Sequence, residues 1–217
     1  MDELPLFPLH TVLFPGVPLH LHIFEERYKR MMHLCIETHQ PFGVVLIRRG
    51  AEALGPIAEP YEIGCSAQIT QVQRLDQGRL NITALGSERF RILSLIGKES
   101  PYLVGNVEPY PVLISDRNEI KQTGQQLSKL LERYLKLLSE AGQSKLDRDP
   151  LPANPVSLAY LSAAMLQVAP VQKQALLEKE QAEDLLVEVL KIYRREVALL
   201  VAMLKRQVGK RGAFSSN

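Results

Sequence analysis

The chain has 217 residues, a formal net charge of +2, and a composition that is 46% apolar and 23% charged, which is ordinary for one large globular domain or two small ones. The near-neutral charge gives no electrostatic reason to expect nucleic acid, and no stretch approaches the roughly 20 uncharged apolar residues that a membrane span requires. Two cysteines without CxxC spacing disfavour a disulfide framework and favour a reducing compartment, so we expect a cytoplasmic protein.

The segment FPLHTVLFPG (7–16) predicts a first strand that prolines interrupt and end. Because a proline cannot donate to a β-ladder, we expect this strand at a sheet edge, where a missing N–H is tolerated. The Pro15-Gly16 pair predicts a turn that returns the chain into PLHLHIF (18–24). Whether His10 belongs to an active site or to an architectural segment is left open by these residues.

One helix and several strands follow in the first half of the chain. EERYKRMMHLCIETH (25–39) places apolar residues on an i, i+3, i+4, i+7, i+8 stripe, which predicts an amphipathic helix. PFGVVLIRRG (41–50) predicts a strand that is covered on both faces. QITQVQRLDQGRLNITALG (68–86) predicts a hairpin, with glycine at a turn position that needs a positive φ. YLVGNVEPYP (102–111) predicts a further strand, which prolines end.

From about residue 116 the apolar period changes from two to 3.6. Capping residues and prolines then predict four helices, which run from Ser115–Asp116 to Gly142, from Asn154-Pro155 through Gln167, from Pro170 to about Leu177, and from about 180 to 208. The fold class predicted from the residues is therefore α+β. A β-rich domain with one inserted helix occupies 1–115, and a helical bundle with a long last helix occupies 116–217.

The residues predict no catalytic site, no metal and no cofactor. His20 and His22 would share one face of a strand and form a possible ligand pair, but no third ligand follows at a recognisable spacing. The Gly-Lys pairs lack the first glycine and the hydroxyl of a phosphate loop, and the sequence has no G-x-S-x-G, H-E-x-x-H or G-x-G-x-x-G motif. Structural or surface histidines are therefore favoured over metal ligands.

Three segments resemble one known family. LPLFPLHTVLFPGVPLHLHIFEERY (4–28) resembles the opening of the substrate-binding N-terminal domain of the ATP-dependent protease Lon, and YEIGCSAQITQV (61–72) and GRLNITALGSERFRI (78–92) resemble later blocks of that domain. The resemblance implies a PUA-like β pseudo-barrel followed by a helical bundle. Where the family commonly has arginine, this chain has His10, which makes a surface or turn position more fitting than catalysis.

The resemblance also implies a function. Full-length Lon continues into an ATPase and a Ser-Lys protease, and neither motif set occurs here, so we expect a stand-alone, non-catalytic module that recognises proteins or peptides. Its implied partners are unfolded or degron-bearing polypeptides, with a separate protease as a further partner. Candidate contact residues are Glu26, Arg27 and Arg30 on the polar side of the first helix, for which the alternative is a solvated face. An RNA-binding PUA-like module and, as the least favoured reading, a peptidase stay open.

Overall fold

The computed structural model describes residues 2–50, 58–96, 100–140 and 150–213, with the backbone alone for residue 2 and residues 206–213. The strands within these residues are β1 (Asp2–Leu9), β2 (Pro18–Ile23), β3 (Phe42–Arg49), β4 (Glu59–Pro60), β5 (Ile63–Arg74), β6 (Leu80–Ile96) and β7 (Leu103–Pro109). The α-helices are α1 (Glu26–Thr38), α2 (Arg117–Glu140), α3 (Pro155–Met165), α4 (Pro170–Leu177) and α5 (Ala182–Ala213). A mixed α/β architecture is therefore confirmed, and the predicted end of the second helix at Gly142 lies outside the described residues.

The strand pairings close on themselves. They run from β1 through β7, β6, β5 and β3, and β3 pairs again with β1. β4 pairs with β3 outside this ring, and β2 pairs with β6. The fold is thus a ring of strands accompanied by helices, and its assignment to the PUA-like pseudo-barrels stays a prediction.

The prediction that the first strand lies at a sheet edge is wrong, because β1 pairs on both sides. Residues 2–6 pair antiparallel with β7, and residues 6–9 pair parallel with β3. Pro5 lies in the first half and Pro8 in the second. Each proline thus pairs with one neighbouring strand only. A missing N–H is tolerated at such a position, because no second strand needs it as a donor. The two halves of β1 therefore pair with different strands of the ring. The positions of the prolines in the sequence do not indicate this division.

The turn predicted at Pro15-Gly16 is confirmed. The N–H of Val17 donates to the carbonyl of Phe14 at 3.2 Å, and Gly16 has φ of 75°, which is the type II geometry that glycine favours. The N–H of Gly16 also donates to the carbonyl of Gly86 at 2.8 Å. A Cβ on Gly86 would lie 2.2 Å from the Phe14 carbonyl oxygen, so only glycine permits this approach. His10 is exposed.

The predicted apolar stripe of α1 packs into the core between this helix and the sheet. Met31 and Met32 are fully buried, in one cluster with Leu80, Ile82 and Ala84 of β6. Buried and exposed side chains alternate along this part of β6, because Asn81, between Leu80 and Ile82, is exposed. Burying these side chains stabilises the layer by about 1.5–3 kcal/mol for each large apolar residue.

The chain forms two compact units. The first comprises Met1–Leu113 and Ala163–Glu180, and the second comprises Ile114–Ser162 and Gln181–Asn217. Helix α4 thus belongs to the β-rich unit, whereas the sequence-based division places it in the helical bundle. As a statement about independently folding domains, the division into 1–115 and 116–217 stays a prediction.

Two side chains hold α4 in the first unit. The Nη1 of Arg89 donates to the carbonyls of Leu177 and Lys179, each at 2.6 Å, and so satisfies acceptors at the C-terminal end of the helix. The Nε2 of Gln174 donates to the carbonyl of Ile63 at 2.9 Å. Both polar side chains are almost completely buried, so the contacts between α4 and the sheet are specific.

The second unit is helical. The rings of Tyr134 in α2 and Tyr193 in α5 meet edge to face at 5.0 Å, and the Tyr193 hydroxyl donates to the carbonyl of Ser162 at 2.8 Å. The predicted caps are confirmed, because Asp116 and Asn154 each accept two backbone N–H groups at the starts of α2 and α3. No helix in the described part of the chain is both long and apolar enough to cross a membrane.

Candidate functional site

A polar face lies on the strands β2, β6 and β5, on the side opposite α1. His20 pairs with Thr83 and Thr83 with Gln71, and one row further along His22 pairs with Asn81 and Asn81 with Gln73. Because side chains two residues apart share a side of a strand, these residues form two adjacent rows. A cavity of about 650 Å³ lies over them. We call this surface the polar face, defined by His20, His22, Gln71, Gln73, Asn81 and Thr83.

Hydrogen bonds across the strands hold the imidazoles of the polar face. The Nδ1 of His22 lies 2.7 Å from the Oδ1 of Asn81, whose Nδ2 donates to the Oε1 of Gln73 at 3.0 Å. Since the Asn81 oxygen can only accept, the His22 Nδ1 carries the hydrogen, and in the neutral ring the Nε2 is then an acceptor. The Nδ1 of His20 lies 3.1 Å from the Thr83 hydroxyl.

The two histidines share a face, as predicted, yet the geometry does not gather metal ligands around them. The neighbours in their rows are amides and a hydroxyl. Among the described residues, no group of three or more His, Cys, Asp or Glu side chains is placed to hold a metal ion.

A second cavity, of about 230 Å³, follows the other side of β2. We call it the β2 groove, defined by the residues that line it, Phe7, Leu9, His20, Leu21, His22, Ile23, Phe24, Glu25 and Tyr28. The rings of Phe7 and Tyr28 pack against each other at 4.3 Å between centroids. Phe24 is 50% exposed. The walls of the groove therefore combine apolar side chains with polar groups, and an exposed aromatic residue lies at its rim.

The β2 strand has an open edge. It pairs with β6 along residues 18–23, and in the described parts of the chain no strand pairs with its opposite edge. An unpaired strand edge presents main-chain donors and acceptors that can pair with another extended chain. The groove and the open edge are thus two aspects of the same site.

The three candidate contact residues lie at the start of α1. Glu26 and Arg30 are exposed and Arg27 is half-buried. Glu26 forms an ion pair with Lys29, and the Nε of Arg27 donates to Glu25 at 3.0 Å. Since Glu25 lines the β2 groove, Arg27 lies one contact away from it. None of the three candidate residues lines the groove itself.

Neither cysteine offers a reactive thiol. Burial raises the pKa of the Cys65 thiol to about 12 and that of Cys35 to about 11. Both side chains are buried in the core of the first unit. At neutral pH both are protonated, and a thiol is a poor nucleophile in that form.

A model of one protein family covers most of this chain. It is the substrate-binding domain of the ATP-dependent protease La (LON), and it matches residues 3–195. The chain belongs to this family. The resemblance read from the opening segment and the two later blocks is therefore confirmed.

The relatives of the chain include Lon proteases. Lon protease 2 of Myxococcus xanthus is 28% identical over 214 residues, and Lon protease of Anaeromyxobacter dehalogenans is 27% identical over 218 residues; each match covers 98% of this chain. It covers 26% and 25% of those proteins. The chain thus spans about a quarter of the length of the curated relatives that it matches.

Solved structures of Lon N-terminal domains have the same fold. A Lon N-terminal domain protein from Xanthomonas campestris matches with a TM-score of 0.64 and 26% identity, over 88% of this chain and 98% of that one. The N-terminal domain of Lon protease from the Mycobacterium avium complex matches with a TM-score of 0.62 and 18% identity, over 91% and 98% of the two chains. The second similarity supports the fold alone.

Sequence reasoning missed the site at β2. It treated His20 and His22 as a possible metal-ligand pair and favoured structural or surface histidines. It did not use their alternation with leucines, which is the signal of a strand with one outward face, to predict a binding surface. The groove depends on Phe7 and Tyr28, which come from β1 and α1. Their position beside β2 is set by tertiary packing, for which the sequence offers no local signal.

Proposed function

We propose that this chain is a non-catalytic module that recognises polypeptides, and that its clients are unfolded or degron-bearing proteins. Membership of the Lon substrate-binding domain family supports a role in substrate recognition. A separate protease is a proposed partner, and the cytosol is the proposed compartment, since both cysteines are free thiols.

The observation that carries the proposal is the combination, at β2, of an open strand edge and a groove that is partly lined by apolar side chains. These side chains can contact the apolar residues that a folded protein hides, and an unpaired edge accepts the main chain that a folded protein has already paired. Exposed apolar side chains and unpaired main-chain groups occur together in unfolded polypeptides and rarely on the surfaces of folded proteins. Phe24, which lines the groove, is 50% exposed and adds exposed apolar surface to the site.

The first test is binding of an unfolded protein. We expect the full chain to bind a fluorescently labelled, reduced and carboxymethylated protein with micromolar affinity in an anisotropy titration, and not to bind the same protein when it is folded. The Phe24→Ala variant should weaken this binding. Leu95→Ala is the matched control, because Leu95 is 46% exposed in the same unit but does not line the β2 groove. No binding at high micromolar concentration of the unfolded protein would contradict the proposal.

Glu26, Arg27 and Arg30 stay proposed contact residues at the border of this surface. Arg27 is the strongest of the three, because it pairs with Glu25 of the β2 groove. Arg27→Ala should therefore alter the affinity for the unfolded protein more than Arg30→Ala does, in the same titration. Equal effects of the two substitutions would remove the argument for Arg27.

A further inference from the structure

One hydrogen bond at the start of β2 determines its hydrogen-bond phase, that is, which of its residues direct their N–H and C=O groups toward β6 and which direct them away. The N–H of Gly86 donates to the carbonyl of Val17 at 3.0 Å. Antiparallel partners alternate between pairs that exchange main-chain hydrogen bonds and pairs that exchange none. Since Val17 and Gly86 are bonded, the pairs that exchange none are Pro18 with Leu85, His20 with Thr83, and His22 with Asn81. The N–H and C=O groups of His20 and His22 therefore point away from β6, toward the open edge.

Two independent observations agree with this phase. Pro18 has no N–H to donate, and the phase places it in a pair that exchanges no bonds. Pairs of that kind also bring opposite side chains closer together, with Cα atoms about 4.5 Å apart. The side chains of His20 and Thr83, and of His22 and Asn81, are those joined by cross-strand hydrogen bonds, at 3.1 and 2.7 Å.

The occupant that fits this edge is an extended polypeptide. Two N–H and two C=O groups lie in a line along β2, two residues apart, and an extended backbone carries complementary groups at that spacing. The adjoining groove of about 230 Å³ is smaller than the roughly 300–1,000 Å³ typical of small-molecule pockets. Phe7 and Tyr28 form an aromatic wall of this groove. The wall suits the apolar side chains of a bound strand, which point toward the groove at every second residue.

We propose that β2 binds a client by strand addition, in which an extended client segment pairs with the main chain of His20 and His22 and directs alternate apolar side chains into the β2 groove. This inference rests on the proposed function and specifies its substrate class, namely segments in which apolar residues alternate with polar ones. The outward client side chains then continue the rows of the polar face beyond His20 and His22.

A second copy of the chain fits this edge less well. Six residues of strand edge are little compared with the roughly 1,200–2,000 Å² that a stable protein–protein interface buries. The edge also lacks the usual protection against strand pairing, because PLHLHI (18–23) contains no lysine, arginine or carboxylate, and its proline lies at the first position. The edge is therefore competent for pairing, but it is too small for a lasting dimer.

The decisive experiment uses peptides whose main chain is blocked on one edge at a time. The peptide is a labelled decapeptide with valine at alternate positions and threonine or glutamine between them, titrated with the full chain. Alternate N–H groups of a strand point to opposite edges. Methylating the valine amides blocks one edge and methylating the polar-residue amides blocks the other. We expect one methylated peptide to lose about tenfold or more in affinity while the other binds like the parent.

Variants of the protein test the same contact from the other side. His22→Pro removes the N–H that faces the open edge, and His22→Ala removes the same side chain but keeps that N–H. Since the lost N–H is not bonded to β6, we expect similar thermal midpoints for both variants and about tenfold weaker peptide binding by His22→Pro alone. If His22→Pro fails to fold, the methylated peptides decide the question with the unaltered chain.

The outcomes separate the two proposals. Equal binding of both methylated peptides, or equal binding by folded His22→Pro and His22→Ala, overturns strand addition, while the unfolded protein in the first test still reports on polypeptide recognition. Failure of the unfolded protein to bind overturns both. A concentration-dependent dimer that His22→Pro abolishes, without peptide binding, assigns the edge to a second copy and also overturns the inference.

Discussion

Arg89 is 3% exposed, although an arginine is rarely buried without partners. Its guanidinium is accommodated because it donates to two carbonyls at the C-terminal end of α4 and lies 4.8 Å from the centre of the Tyr110 ring. A cation at a helix C-terminus is favoured by the helix dipole as well as by these hydrogen bonds. One side chain thus ties β6 to a helix that lies far along the chain.

Replacing Arg89 should be costly for stability. Arg89→Ala leaves the carbonyls of Leu177 and Lys179 without this donor and opens a cavity, so we expect a loss of about 3 kcal/mol in the free energy of unfolding, measured with urea. Arg91→Ala is the matched control. Arg91 also lies over Tyr110, at 4.4 Å, but its ion pairs with Glu108 and Glu180 are long and exposed. Its loss should cost less than about 1 kcal/mol, and similar losses for the two variants would contradict this account.

The sequence predicts on which side of β6 Arg89 lies, but not that Arg89 is buried. The alternation in RFRIL (89–93) predicts that Phe90 and Ile92 lie on one side of the strand, and both belong to one apolar cluster in the structure. What covers Arg89 on the opposite side is α4, which the periodicity of β6 cannot indicate. A residue's side of a strand follows from local pattern, whereas its burial depends on distant partners.

At the scale of elements, the start of α2 combines a local cap with a distant one. The Oδ1 of Asp116 accepts the N–H groups of Asn118 and Glu119, which is the cap that the sequence predicts. The Oε1 of Glu183, from the first turn of α5, accepts the N–H groups of Ser115 and Asp116 at 2.8 and 2.7 Å. The second contact depends on the pairing of two helices, so no local motif reveals it.

Glu183 should make stability depend on pH. The hydrogen bond from the Asp116 backbone, together with the one from Ser115, lowers the pKa of Glu183 below its ordinary value of 4.5. A carboxyl whose folded-state pKa is lowered contributes stability above its ordinary pKa, and this is lost as the pH falls through the lower folded value. We expect Glu183→Gln to be less stable than the unaltered chain at neutral pH, in urea unfolding, and the difference to shrink below pH 4.5.

The control for Glu183 lies next to it. Asp184→Asn removes a carboxylate from the same first turn of α5, at an exposed position. Its effect on stability should be smaller at neutral pH. A stability difference for Glu183→Gln that persists unchanged in acid would assign the effect to packing instead of charge.

At the scale of the whole molecule, the chain path and the compact units do not coincide. The first unit includes Ala163–Glu180, although the preceding segment, Ile114–Ser162, belongs to the second unit. Most elements are nevertheless predictable, because the shift in period from two to 3.6, the caps at Asp116 and Asn154 and the proline at 170 are local signals. The packing of α4 against the strands is not predictable from local sequence, because it depends on the buried contacts of Arg89 and Gln174.

The predicted division at residue 115 can be tested directly. We expect a chain of residues 1–115 to lack a cooperative thermal transition in near-ultraviolet circular dichroism, because it loses α4 and leaves Arg89 and the Ile63 carbonyl without their partners. Adding a synthetic peptide of residues 163–180 should restore the transition. The same peptide with Gln174→Ala should restore it less well. Cooperative unfolding of 1–115 alone would support the division at 115 as a true folding boundary.

The position of β1 in the ring also has a consequence during protein synthesis. β1 can complete its pairing only when β7 is available, and about a hundred residues separate the two strands, which at roughly 5–20 residues per second is a delay of about 5–20 s. During this interval an apolar strand has unsatisfied edges beside other nascent chains. Pro5 lies in the half of β1 that pairs with β7 and cannot donate to an intermolecular ladder, so we expect it to limit aggregation during this interval.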